Sequence, residues 1–295
     1  MKDQAENLRK MVQQKEDETN SKSQKRDNID SARIYAVTSG KGGVGKSNFT
    51  ANLALALQEK GQEVILFDAD LGMANLDVIL GVTPNYNLNH VISGEKDISE
   101  IILNGPNNIP LIPGGSGIEE LANLSRYQLN NLIDSWSTLE KEYDIILIDT
   151  GAGLSNIVMN FILAADETLV ISTSEPTSIT DAYGVVKALS KHNQDLDIKL
   201  VINQADNKEG NKIAKRLTKT AQEFLDLEIN LLGVLPEDRS VIKAVKKRRP
   251  FLLEYPNSKV AKRIKDLGAE LIGQETEKEA KGFTGFIKDV FGFSN

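Results

Sequence analysis

Ten residues, S-G-K-G-G-V-G-K-S-N at positions 39–48, constrain this chain more than any other stretch. They satisfy the pattern G-x-x-x-x-G-K-[ST], with Gly40, Gly45, Lys46 and Ser47 in the fixed places. An apolar run, Ile34 to Thr38, precedes them, and a helix-like stretch, Phe49 to Lys60, follows. Strand, glycine loop and helix in that order form the context in which the pattern means a phosphate cradle. The glycines let the backbone curl, so that consecutive N–H groups from Gly40 through Lys41, Gly42, Gly43, Val44 and Gly45 to Asn48 can turn toward phosphate oxygens. The helix that follows aims its positive end at the same anion. Lys46 is expected to reach the β/γ-phosphates and Ser47 to place its hydroxyl on Mg²⁺.

Lys41 puts a second cation in the loop at a position the pattern leaves free. A flexible ammonium there can clamp phosphate charge as an arginine finger does, or can be a solvated loop residue. Asp68 and Asp70 follow an apolar run, 63–67, and their i, i+2 spacing puts them on one side of a strand end. Such carboxylates can hold metal-bound water or orient an attacking water, or can be plain turn aspartates. Asp149 ends the apolar run 145–148 and precedes Thr150-Gly-Ala-Gly153, which fits a Walker B carboxylate on Mg²⁺ or a helix cap. Asn203, and Pro236-Glu237-Asp238, close two further apolar runs. They can bracket a purine, and they are equally good turn residues. No N-K-x-D element is present to read guanine, which favours ATP over GTP.

Candidate strands fall at 33–38, 63–67, 109–112, 144–149, 167–172, 198–203 and 231–235, with helix-length stretches between them. Most are continuous apolar runs, which suit strands buried on both faces. The fold class expected is therefore α/β, with a mostly parallel twisted sheet flanked by helices in the P-loop manner. Ligands in such folds sit at the carboxyl ends of strands, where the glycine loop, Asp68, Asp70 and Asp149 all fall.

Three segments are expected: a polar tail and linker at 1–30, the α/β body at 31–273, and a linker with a terminal helix at 274–295. Residues 1–30 hold no aromatic residue and cannot bury a core, although Ala5, Leu8, Met11 and Val12 recur at roughly helical spacing. Near the other end Phe283, Phe286, Ile287, Val290 and Phe291 fall at i, i+3, i+4, i+7 and i+8, one stripe of a helix. That stripe suits a bilayer interface or a docking site on its own domain. The basic run Lys243 to Arg249 can touch DNA or anionic lipid, or can be a solvated helix face near a helix C-terminus. A formal net charge of −7 argues against a general nucleic-acid-coating surface. With no cysteine and only His90 and His192, disulfides, thiolate chemistry and an imidazole-rich zinc site are excluded or disfavoured. The polar N-terminus and the absence of a long apolar run make a cytoplasmic location the default expectation.

At this point the motifs resemble those of the MinD/ParA ATPases. K-G-G-V-G-K-S is similar to their deviant Walker A, D-A-D-L-G-M-A-N-L-D at 68–77 to their D-x-D-x-G-x-x-N-L-D, and D-T-G-A-G at 149–153 to their D-x-x-A-G. The resemblance implies slow hydrolysis of ATP to ADP and phosphate inside a nucleotide-sandwich homodimer. In it Lys41 crosses to the partner's ATP, Lys46, Ser47 and Asp149 hold phosphates and Mg²⁺, Asp70 orients water, and Asp68 supports the metal and switch region. It also implies an adenine pocket at Asn203, Pro236, Glu237 and Asp238, and membrane contact through the terminal helix. D-Q-A-E-N-L-R at 3–9 resembles the activating motif of one branch of that family, which governs flagellar number and placement. That match implies contact of Asp3, Gln4, Leu8 and Arg9 with an FlhF-type GTPase, and further partners in the flagellar C-ring proteins FliM and FliY/FliN. No nucleic-acid partner is expected. A division-site regulator and a DNA-partition ATPase of the same family share the core. A ligase-like metabolic enzyme is disfavoured for want of a second substrate domain.

Overall fold

The computed structural model describes residues 31–70, 75–115, 136, 139–193, 196–273, 280 and 282–290. Within them eight strands form one sheet: β1 Arg33–Thr38, β2 Val64–Ala69, β3 Leu103–Asn104, β4 Pro110–Pro113, β5 Ile145–Thr150, β6 Glu167–Thr173, β7 Asp197–Asn203 and β8 Asn230–Val234. Their spatial order is β3-β4-β2-β5-β1-β6-β7-β8. All pairings are parallel except β3 with β4. The seven expected strands are present, with ends displaced by at most two residues. The eighth, β3, is two residues long, too short to leave a period in the sequence.

The apolar runs have the expected cause. Every residue of β2, β4, β5 and β6 is buried. Alternate side chains enter separate cores, Ile34, Ala36, Ile146 and Ile148 on one side of the sheet, Tyr35, Val37, Ile145 and Leu147 on the other.

Eleven α-helices are assigned among the described residues. The first, α1, is Lys46–Gln58, followed by the short α2 Leu76–Leu80, α3 Leu88–Ile92 and α4 Ile98–Ile101. Then come α5 Asn156–Ala164, α6 Pro176–Ser190, α7 Asn207–Leu225, α8 Arg239–Lys246, α9 Phe251–Glu254, α10 Lys259–Gly273 and α11 Gly282–Val290. Helices α5, α6, α7 and α11 contribute to the first core, and α1, α2, α8, α9 and α10 to the second. Helix α1 starts three residues before the expected Phe49, because Lys46 and Ser47 already have helical geometry. It ends at Gln58, just before Gly61 at φ 86°. His90 serves the capping box of α3.

The terminal helix lies on the body. Phe286, Ile287 and Val290 are buried in the first core. Phe286 stacks on Phe161 of α5 with ring centroids 5.9 Å apart. Asn160 Nδ2 donates to the Val290 carbonyl at 3.0 Å, and Thr284 Oγ1 donates to Glu140 Oε2 at 3.0 Å. Of the two readings left open for this stripe, the structure holds the docked one. Phe291 and the side chain of Phe283 lie outside the described residues, as do Asp3, Gln4, Leu8 and Arg9.

At the amino end of the sheet, Glu167 at the start of β6 accepts from Arg33 Nη1 at 3.0 Å and from Lys199 Nζ. Glu167 and Lys199 are almost wholly buried. Replacing one member of a buried pair strands the other charge. Glu167→Leu should lower unfolding free energy by about 3 kcal/mol in urea titrations while sparing nucleotide affinity, since the group sits at the far end of the strands. Unchanged stability would refute this.

Candidate functional site

The carboxyl ends of β1, β2 and β5 are adjacent in the sheet, and register fixes what they bring together. Val37 lies opposite Asp149, Asp68 opposite Asp149, and Ala69 opposite Thr150. The glycine loop leaves the end of β1 and returns as α1, so strand pairing alone sets Lys46 and Ser47 above both carboxylates.

The loop needs its glycines for two different reasons. Gly43 and Gly45 have φ of 80° and 90°, the left-handed region where a side chain is strained. Gly40 is confined by space. A Cβ there would sit 2.3 Å from the backbone carbonyl of Asp181 in α6. The Ser39 hydroxyl donates to the Lys41 carbonyl at 2.9 Å, and Asn203 Nδ2 donates to the Val44 carbonyl at 2.8 Å. The curl is therefore held from both sides. The first N–H groups of α1 have no intrahelical acceptor and face the loop, as an anion site requires.

Inside the loop Lys46 Nζ meets Asp149 Oδ1 at 2.8 Å, with side-chain exposures of 7% and 0%. Thr50 Oγ1 donates to the Lys46 carbonyl and lies 3.3 Å from the same carboxylate oxygen. Burial pushes the Asp149 carboxyl up, and the Lys46 ammonium and Ser47 hydroxyl pull against that shift. Asp149 Oδ2 is buried without a hydrogen bond. An orphaned carboxylate oxygen next to a serine hydroxyl is a hard-oxygen donor set, and it fits Mg²⁺. Among the described residues no three acidic or histidine side chains could hold a metal alone. The fit is thus to an ion shared with phosphates, as is usual for Mg²⁺.

Asp68 is buried. Its Oδ1 accepts the Asp70 N–H at 3.2 Å and its Oδ2 the Leu76 N–H at 3.3 Å. It thereby ties the strand end to the first turn of α2, across a stretch, 71–74, that lies outside the described residues. Asp70 is half-buried, and its Oδ1 would be 3.4 Å from a Cβ on Gly151, so its carboxylate faces the loop after β5. Its charge also raises the Asp149 pKa. The four expected acid–base and metal residues, Asp68, Asp70, Asp149 and Ser47, do gather at one point. Asn75 of the same motif is exposed and precedes α2 without a side-chain cap.

Lys41 points elsewhere. Its Nζ reaches Glu175 Oε2 at 2.7 Å and Thr177 Oγ1 at 3.1 Å, at the start of α6, and its side chain is 41% exposed. Beside the loop a cleft of about 440 Å³ is lined by Gly43, Gly45 and Asn48 of the phosphate loop and by Asn203, Pro236, Glu237 and Asp238, the expected base-pocket residues. Two of these have structural duties as well. Asn203 holds the loop, and Asp238 caps α8 by accepting the Ser240 N–H at 2.9 Å. Burial disfavours the charged form of Asp238, yet hydrogen bonds from the backbone of Ser240, Val260 and Lys259 hold its carboxyl below the usual range. Sequence reasoning missed Gln204, which lines the cleft at φ 57°, and the Lys41 partners Glu175 and Thr177. No pattern in the sequence marks any of the three.

The comparisons agree with this geometry. Residues 35–251 match the CobQ/CobB/MinD/ParA nucleotide binding domain, and the chain belongs to that family. Within it the chain is of the FlhG type, because two relatives of that branch are close in sequence. It is 41% identical over 230 residues to the antiactivator FleN of Pseudomonas aeruginosa, covering 78% of this chain and 82% of that one. It is 38% identical over 275 residues to the flagellum site-determining protein YlxH of Helicobacter pylori, covering 90% and 92%. Among solved structures, the septum site-determining protein MinD of Pyrococcus horikoshii complexed with Mg-ADP superposes with a TM-score of 0.65 at 31% identity, covering 81% and 96%.

Burial, with the Asp149 charge behind it, pushes the Asp68 carboxyl up to about 7. The folded protein keeps a proton there that the unfolded chain releases at ordinary carboxylate pH. The contribution of Asp68 to stability therefore falls as pH rises from about 4 to about 7. Asp68→Asn should remove that slope. Relative to the parent, the variant should gain stability in urea unfolding between about pH 4.5 and about pH 7.5. Parallel pH profiles would contradict the assignment.

Proposed function

We propose that this chain is a slow ATP-driven switch that pairs with a second copy of itself and regulates flagellar number and placement. The observation that carries the switch reading is the opposed direction of the two loop lysines. Lys46 is buried on Asp149, whereas Lys41 lies at the rim, partly exposed, on Glu175 and Thr177. A lysine so placed can leave its surface partners for a phosphate presented by another molecule, while Lys46 serves the chain's own. The flagellar role is supported by the two curated relatives and by the match of Asp3–Arg9 to the activating motif of that branch.

The residues divide the work. Loop N–H groups and the start of α1 cradle the phosphates, and Lys46 exchanges part of its contact with Asp149 for them. Ser47 and Asp149 would hold Mg²⁺, which would supply neutralisation of phosphate charge. Asp70, beside Gly151, positions the attacking water. The cleft at Asn203, Pro236, Glu237 and Asp238 takes the adenine. Loop 151–155 runs from the end of β5, just after Asp149, into α5, on which the terminal helix rests. Loss of the γ-phosphate contacts can therefore reach both the pairing face and the stripe of Phe283, Phe286, Ile287, Val290 and Phe291. Released, that stripe suits the inner face of the cell membrane. Among the described residues no helix is long and apolar enough to cross one. FliM and FliY/FliN of the flagellar C-ring are the further partners in this reading.

The N-terminal motif supplies the test. A peptide of residues 1–20 should raise GTP turnover by a purified FlhF-type GTPase, and a Gln4→Ala peptide should lose most of that effect. Full stimulation by the Gln4→Ala peptide would refute the role of Gln4. No stimulation by either peptide would move a division-site regulator to first place.

A further inference from the structure

Helix α7 carries a feature that nucleotide chemistry leaves unused. Its inner face, Gly210, Ile213, Ala214, Leu217 and Ala221, is buried. Its outer face presents Lys208, Lys212, Lys215 and Lys219, all exposed. At 100° per residue, spacings of four, three and four place these four within an arc of about 60°, in a line about 16 Å long. Among the described residues none of the four stands in an ion pair. The chain as a whole has net charge −7, yet α7 carries five basic residues against two glutamates. Positive charge is thus concentrated here against the average of the molecule.

We propose that this lysine line docks on an anionic lipid bilayer and acts together with the terminal helix. The inference rests on the membrane reading given above and assigns that reading a second contact. Two observations choose the occupant. Lysines are mobile point charges without the fork that reads a single carboxylate or base, so an exposed row of them suits a diffuse anionic plane. The sheet also places the line correctly. Helices α7 and α11 belong to the same core and lie on the same side of the sheet, α11 over β1 and α5, α7 over β7 and β8. At about 4.8 Å per strand the two are separated laterally by about 10–15 Å, near enough to meet one plane. The other basic run, Lys243 to Arg249, begins on α8, which packs on the opposite side. The terminal helix would supply apolar insertion and α7 the selectivity for charged headgroups.

The test is vesicle partitioning of the full chain with Mg-ATP, on neutral phosphatidylcholine vesicles and on vesicles with about 30% anionic phosphatidylglycerol. The parent should favour the anionic vesicles and lose that preference at high salt. The quadruple variant K208Q/K212Q/K215Q/K219Q should bind anionic vesicles at least about tenfold more weakly, and neutral vesicles as the parent does. Equal nucleotide affinity for parent and variant would show that the fold is kept. A quadruple variant that binds anionic vesicles as well as the parent would overturn the inference and leave the membrane reading standing. A parent indifferent to lipid charge would do the same. A parent that binds no vesicle would remove both. Salt-dependent retention of duplex DNA that the variant loses, with vesicle binding unchanged, would give the line to nucleic acid instead.

Discussion

The contact between Lys46 and Asp149 is the constraint on which the site depends. It joins the first residue of α1 to the penultimate residue of β5 with both charges almost wholly buried. A buried ammonium and carboxylate are tolerable only together. The pair therefore fixes the glycine loop over the strand ends before any ligand arrives. It also leaves one carboxylate oxygen, Asp149 Oδ2, buried without a hydrogen bond, on a carboxylate that the Ser47 hydroxyl already contacts. The site is thus held in shape by its own charges.

Two elements carry the state of that site outward. The backbone of Asp181 in α6 approaches Gly40 so closely that no side chain fits there, and the N-terminal end of the same helix supplies Glu175 and Thr177 to Lys41. A change in the loop can thus reach the rim, which is the pairing face in the proposed function. On the other side, loop 151–155 passes from the end of β5 into α5, whose Phe161 and Asn160 hold the terminal helix. Helix and loop are consecutive in sequence, so little slack separates the phosphate end from the docking face.

Much of this was legible in the residues. Buried parallel strands announce themselves as apolar runs, and each motif carboxylate follows such a run, so convergence at the strand ends followed from topology. What was not legible depends on contacts between distant segments. Gly40 reads as a loop glycine, but the backbone of Asp181 is what demands it. Asp238 reads as a base contact, but it also caps α8. Lys41 reads as a clamp across an interface, while its resting partners on α6 have no signature. The stripe from Phe283 to Phe291 fits a bilayer or a core equally well by period, and only packing on Phe161 tells which one the chain holds here. Strand β3 is too short for any pattern.

The central claim is that phosphate charge gathered at these strand ends controls self-association through Lys41. Its most direct test is the mass of Asp70→Ala by light scattering with Mg-ATP and with Mg-ADP, beside the double variant K41A/D70A. The account predicts a dimer for Asp70→Ala with Mg-ATP, a monomer with Mg-ADP, and a monomer for the double variant with either nucleotide. A monomeric Asp70→Ala under saturating Mg-ATP, or a double variant that still pairs, would contradict it.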